Sequence, residues 1–277
     1  MENRTKIING ALTTLFSIVS LVWLFPLFLV LMNSFKGQFF ISDQPFKFPT
    51  IETYVKLENY FNGNEQIEFI SAFFNSLRVT ILSVIAIVLF TSMTSWYISR
   101  VKNSLNNMIF NVIIASMIVP FQMVMYPMSK VANVLHLDNP WGLVVIYLGF
   151  GAGQAVFMFS GFIKGIPLEI EEAATIDGCN PIQLFFRVVF PILKPISITI
   201  SILNVMWIWN DFLLPYLVLV DTRTIPMAIQ YLQGGYGSKD MGALMAMLIL
   251  AIIPIVLFYA ICQKHIIKGV MAGSVKG

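Results

Sequence analysis

The chain has 277 residues, 57% hydrophobic and 11% charged, with a mean hydropathy of +0.80. Soluble domains carry about a quarter charged residues, so a water-soluble globular protein is excluded. A net charge of +3 from 17 basic and 14 acidic residues excludes the dense cationic surface that nucleic-acid binding requires, and Cys179 and Cys262, isolated and without metal-ligand spacing, argue for neither a disulfide nor a zinc site.

Hydropathy predicts an all-α integral membrane protein with six transmembrane helices in one domain, 1–277. Arg4 and Lys6 precede an apolar run, Ala11–Met32, which at about 1.5 Å per residue spans a hydrocarbon core of about 30 Å. It has no small-x-small cleavage site and is expected to remain as a helix. The polar stretch 33–69, with Pro45, Pro49, Tyr54, Tyr60 and Phe61, is long enough to need its own packing, and its aromatics suit a membrane interface.

A second span is predicted over about 70–98, ending before Arg100 and Lys102, and a third over about 107–130, kinked by Pro120. The fourth, about 141–163, contains Gly149, Gly151 and Gly153. Glycines four apart let another helix approach closely. They are not a nucleotide loop, since no Gly-x4-Gly-Lys-Ser/Thr occurs in the chain.

Residues 164–195 interrupt the apolar pattern with Glu169, Glu171, Glu172, Asp177, Arg187 and Lys194. Pro167 suits a first helical position with the glutamates at the positive end of the dipole, so a helix is predicted over 167–177. Gly178 is placed for a left-handed cap, and Asn180-Pro181 starts a second helix, 181–190. Pro191 and Pro195 then bracket the entry to the next apolar run.

Glu172-Ala173-Ala174, Gly178 and Val188-Val189-Phe190-Pro191 stand at the spacing of the Glu-Ala-Ala cytoplasmic loop, and the chain thereby resembles the permeases of bacterial ABC importers, with Val188 and Phe190 replacing that motif's aliphatics. The resemblance implies a loop that docks in a cleft of an ATP-hydrolysing subunit and transmits its closure, with Glu172, Ala173, Ala174, Asp177, Gly178 and Pro191 as the coupling residues. It implies no catalysis and no cofactor bound by this chain: ATP and Mg would sit on two partner ATPase subunits.

Span five is predicted over about 196–220. Ser197, Ser201, Asn204, Trp207 and Asp211 recur at helical spacing, which places them on one face. An aspartate facing lipid costs at least about 2.5–3.5 kcal/mol, so this face looks into the protein. Ser201, Asn204, Trp207 and Asp211 either line a translocation path or hydrogen-bond between helices. Trp209-Asn210-Asp211-Phe212 with Pro215 resembles the fifth span of carbohydrate importers of the maltose type, which implies a sugar as substrate. The alternatives are an ABC permease for another solute and an ion-coupled carrier, for which Asp211 would be the coupling residue.

The loop 221–240 contains Gly234, Gly235, Tyr236 and Gly237. The resemblance makes them a contact for an extracellular solute-binding protein, and an ordinary turn is the other reading. Span six is predicted over about 241–262, followed by a tail with Lys264 and Lys268 that resembles the family's ATPase-contacting terminus. Ten basic residues fall in the proposed inner segments against six in the outer ones, which favours both termini inside. The expected setting is the bacterial cytoplasmic membrane, with a second permease subunit, the ATPases, the binding protein and membrane lipid as partners.

Overall fold

The computed structural model of the protein describes residues 2–233 and 240–274, with side chains over 8–233 and 240–264. Its helices are α1 (Glu2–Asn33), α2 (Gln38–Asp43), α3 (Glu58–Ile67), α4 (Phe69–Arg100), α5 (Ser104–Ala115), α6 (Phe121–Val134), α7 (Pro140–Ile163), α8 (Glu169–Ile176) and α9 (Pro181–Leu184). After a π-helical turn, Phe185–Val189, follow α10 (Phe190–Ile192), α11 (Lys194–Asn210), α12 (Leu213–Val218), α13 (Ile225–Leu232) and α14 (Met241–Ser274). Among the described residues the extended pairing is one isolated bridge, Lys36 to Tyr54.

Ile8–Asn33, Phe69–Arg100, Pro140–Ile163 and Met241–Lys264 are long and apolar enough to cross a membrane, and the first, second, fourth and sixth predicted spans fall on them. The other two are corrected. The stretch 107–130 is not one kinked helix, because α5 ends at Ala115 and α6 begins at Phe121. Pro120 stands between them in extended conformation (φ −60°, ψ 134°), where its ring fixes φ and no N–H is available to continue the ladder. The stretch 196–220 breaks at Asp211 (ψ 121°) before the short α12. Lys194–Asn210 also meets Pro181–Ile192 at a bend of 75°, with Leu193 fully buried at the elbow.

Packing divides the chain into two compact units, Met1–Ile70 with Ala228–Pro254, and Ser71–Met227 with Ile255–Gly277. In the first, the polar stretch after α1 folds on its own contacts, as its length requires. Buried Asn59 donates to the carbonyls of Ser34 and Lys36 at 2.8 Å each, and Tyr60 Oη meets Ser34 Oγ at 2.8 Å. Lys36 is enclosed with its Nζ on the Gln44 carbonyl at 2.9 Å, and desolvation lowers its pKa. Gly63 lies against Met247 and Gly242 against Asn59, both too close for a Cβ.

In the second unit, α4, α7, the α9–α10 region and α11 share one core containing Ile87, Leu143, Tyr147, Phe159, Phe185 and Ile200. A Cβ on Gly151 would lie 2.6 Å from Ile87 Cδ1, and one on Gly153 would strike Met117 and come within 3.1 Å of the Ile113 carbonyl, whereas Gly149 faces nothing within 4 Å. So of the Gly149/Gly153 pair only Gly153 permits a close approach, from the end of α5. Gly153→Leu is expected to destabilise the protein by about 1–3 kcal/mol through overpacking, whereas Gly149→Leu should stay within about 0.5 kcal/mol. Melting temperatures of the detergent-solubilised variants check the ranking.

Candidate functional site

The polar stretch 164–195 folds into a compact knuckle whose local bonds are nearly complete. The first helix begins at Glu169 rather than 167, with Leu168 as its N-cap and Pro167 outside it. It closes with a Schellman pair, Gly178 N–H to the Thr175 carbonyl (3.0 Å) and Cys179 N–H to the Ala174 carbonyl (3.1 Å), and Gly178 takes φ +85°, a region that costs other residues roughly 1–2 kcal/mol. Asn180 then opens α9 with a reciprocal capping box: its side chain accepts from Gln183 N–H at 2.9 Å while Gln183 Oε1 accepts from Asn180 N–H at 3.1 Å.

The second predicted helix, 181–190, is not a plain α-helix ending at Pro191. Proline cannot donate, and its ring crowds the carbonyl four residues back. The preceding turn widens to π geometry over Phe185–Val189, with Phe190 N–H bonded to the Phe185 carbonyl, and Pro191 is carried inside the continuing helix. Local π turns of this kind are frequent at functional sites.

The faces of α8 differ sharply. Glu171 is turned inward and 5% exposed. Arg100, at the end of α4, donates to Glu171 Oε1 from Nε (2.8 Å) and Nη2 (2.6 Å), and Nη2 also reaches the Ile166 carbonyl at 3.1 Å. Trp96 Nε1 donates to Glu171 Oε2 at 2.8 Å, and the Trp96 ring lies 5.5 Å from that of Phe185. Both carboxylate oxygens are therefore engaged, and α4, α8 and the π turn are tied at one point. Ala174 and Cys179 pack against the core from the same side. Glu172, Ala173, Asp177 and Gly178 face outward with Ile176, which is 86% exposed, and Ile182, 69% exposed. The sequence placed Glu171 only with Glu169 and Glu172 at the positive end of the helix dipole; its partners Trp96 and Arg100 lie over seventy positions away, and the one signal was the spacing of Glu171 and Ala174 on a common face.

The second candidate cluster is brought together in part. Asp211 is not on a continuing helix face but in the break between α11 and α12, where its Oδ1 accepts from Leu213 N–H at 3.0 Å and caps α12. Its Oδ2 accepts from Tyr147 Oη at 3.0 Å, and Tyr147, fully buried, stands edge-on to Trp207 with centroids 5.4 Å apart. Trp207 is 40% exposed. Asn204 is buried with its Oδ1 toward Gly151, and Ser201 Oγ bonds back to the Ser197 carbonyl at 2.8 Å. Tyr147 carried no polar pattern in the sequence to single it out. Gly234, Gly235, Tyr236 and Gly237 lie outside the described residues.

Residues 93–271 match the family model described as binding-protein-dependent transport system inner membrane component. The chain is 38% identical, over 96% of each sequence, to a probable starch degradation products transport system permease protein of Thermoanaerobacterium thermosulfurigenes. It is 35% identical, over 95% of each, to a multiple sugar-binding transport system permease protein of Streptococcus mutans. In fold it is similar to a chain from a bacterial ABC transporter involved in import of the acidic polysaccharide alginate, with a TM-score of 0.75, 18% identity, and coverage of 94% of this chain and 96% of that one.

Glu171→Ala leaves the Arg100 guanidinium enclosed without its counter-charge and is expected to cost about 3 kcal/mol. The double variant Arg100→Leu/Glu171→Leu should lose clearly less than the two single losses combined, which a thermal-unfolding double-mutant cycle measures.

Proposed function

This chain belongs to the family of binding-protein-dependent transport system inner membrane components, and on that premise we propose that it is the permease subunit of an ATP-driven importer carrying a sugar of the oligosaccharide class, delivered by an extracellular binding protein. Members of this family are non-catalytic membrane subunits, and ATP is hydrolysed on a partner ATPase. The remaining partners are a second permease subunit, a second ATPase and the membrane lipid. The two relatives are permeases for starch degradation products and for multiple sugars, which supports the sugar assignment.

The chain crosses the bacterial cytoplasmic membrane six times as one permease domain, with the broken segments α5–α6 and α11–α12 as the third and fifth crossings. Both termini and the knuckle are cytoplasmic, in keeping with the ten-to-six bias of basic residues. One observation carries the coupling assignment: α8 is fixed from within through Glu171 while Glu172, Ala173, Ile176 and Asp177 are left open. A small, apolar and acidic face on a firmly held short helix suits the cleft of an ATPase, whose closure it would pass to α4 and α11. Gly178 and Pro191 shape the knuckle rather than touch the motor. For the path, Trp207 offers an aromatic face to the apolar side of a sugar ring, Tyr147 and Asp211 hold it in place, and Ser201 and Asn204 support the same helix. Gly234, Gly235, Tyr236 and Gly237 remain the proposed contact with the binding protein.

In the assembled importer, Glu172→Lys and Gly178→Leu are expected to insert normally yet lose most binding-protein-stimulated ATP hydrolysis: the first reverses one partner of an interfacial charge pair, at a cost of about 2–5 kcal/mol, and the second strains the left-handed corner at φ +85° that shapes the knuckle. Wild-type stimulation in both variants, measured in proteoliposomes, would refute the coupling role. Trp207→Ala should raise the half-saturating sugar concentration for uptake by roughly fivefold while leaving stimulated hydrolysis in place, and uptake titrations read this directly.

A further inference from the structure

Beside the Glu171 lock, within the second unit, an apolar groove of about 460 Å³ runs between the last turns of α4, the start of α5 and the α9–π segment. Its walls include Met93, Trp96, Tyr97, Ile109, Ile182 and Phe185. Three of the polar groups that border it are already committed: Thr94 Oγ1 bonds to the Phe90 carbonyl (2.8 Å), Asn106 Nδ2 to the Val101 carbonyl (2.6 Å) and Trp96 Nε1 to Glu171 (2.8 Å), which leaves the Tyr97 hydroxyl among the side-chain donors. A sugar or nucleotide would lose its hydration there with little in return, whereas a hydrocarbon chain would lose nothing.

The charges bordering this region define the occupant further. Lys102 follows the end of α4 and Arg187 follows Phe186 of the groove wall; both are exposed and neither has an ion-pair partner among the described residues. Lys164 adds a third cation, its Nζ 5.9 Å from the centroid of Phe110, the neighbour of groove-lining Ile109. Met93 precedes Arg100 by seven residues, about 10 Å along the helix; with Arg100, the last residue of the apolar span Phe69–Arg100, taken at the membrane surface, the groove falls at acyl-chain depth and the exposed Lys102 just beyond the span's end.

We propose that this groove binds an acyl chain of an anionic phospholipid of the α8-side leaflet, with Lys102 and Arg187 receiving its phosphate, and that occupancy steadies Trp96 and thereby the hold of α4 on α8. That leaflet is the cytoplasmic one on the functional reading above. The indole is both groove wall and donor to Glu171, so a chain packed on its face restrains the same ring that fixes the knuckle.

The test uses the assembled importer in nanodiscs of phosphatidylcholine with or without phosphatidylglycerol, with retained lipid counted by native mass spectrometry and stimulated ATP hydrolysis measured in parallel. Ile109→Trp fills the groove and should remove one retained phosphatidylglycerol and make hydrolysis equal in both lipids. Lys102→Glu and Arg187→Glu leave the packing untouched and should each lower phosphatidylglycerol retention by at least about fivefold, the weight of one lost cation near an anionic surface. Wild-type hydrolysis that ignores phosphatidylglycerol, or unchanged retention in natively melting Ile109→Trp and in both charge reversals, overturns the proposal. A polypeptide segment of a partner subunit cross-linked into the groove overturns it as well. Because lipid retention is read independently of transport, these results leave the importer assignment standing or falling on its own.

Discussion

The two-helix knuckle depends on one carboxylate. Glu171 is withdrawn from water, 5% exposed, and Arg100 and Trp96 supply hydrogen bonds to both of its oxygens, as a buried polar side chain requires. A buried ion pair contributes little net stability compared with a well-packed apolar pair; what it provides here is orientation. The Arg100 fork also takes the Ile166 carbonyl, so the guanidinium fixes the approach to α8 as well as its rotation. Once Glu171 points inward, helical geometry places Glu172, Ala173 and Ile176 outward, and the presented surface follows.

The remaining bonds of the knuckle reinforce this setting without help from distant residues. The left-handed Gly178, the Schellman pair and the Asn180–Gln183 box satisfy backbone groups that a tight corner would otherwise leave orphaned. The Gly178 cap and the Asn180-Pro181 start were legible in the sequence because glycine and proline act through their own backbone and asparagine through a side chain that bonds within the next turn. Four of the apolar spans were legible for a similar reason, since a run of twenty apolar residues is long enough for a bilayer whatever it packs against. The motif singled out Glu172, but nothing in the sequence marked Glu171 as buried, because its burial depends on a tryptophan and an arginine brought in by another helix. Tyr147 was hidden in the same way, its hydroxyl acquiring meaning only through Asp211.

The two interrupted segments mark a different limit. Periodicity treated 107–130 and 196–220 as continuous, and Pro120 suggested no more than a kink. In hydrocarbon an interrupted ladder is tolerated only where side chains, a partner or water meet the freed groups. Asp211 does this by capping α12. The shift from α to π geometry before Pro191 is another accommodation of a missing donor, made by widening one turn instead of ending the helix.

On the proposed coupling role, the elbow at Leu193 would give the knuckle mechanical leverage. Its two arms, Pro181–Ile192 and Lys194–Asn210, stand at 75° and measure about 18 and 25 Å at helical rise. Two rigid arms fixed at such an angle form a bell crank: a small sideways push on the shorter arm becomes a swing of the longer one, amplified by the ratio of their lengths, about 1.4. The far end of the long arm carries Trp207 and abuts Asp211.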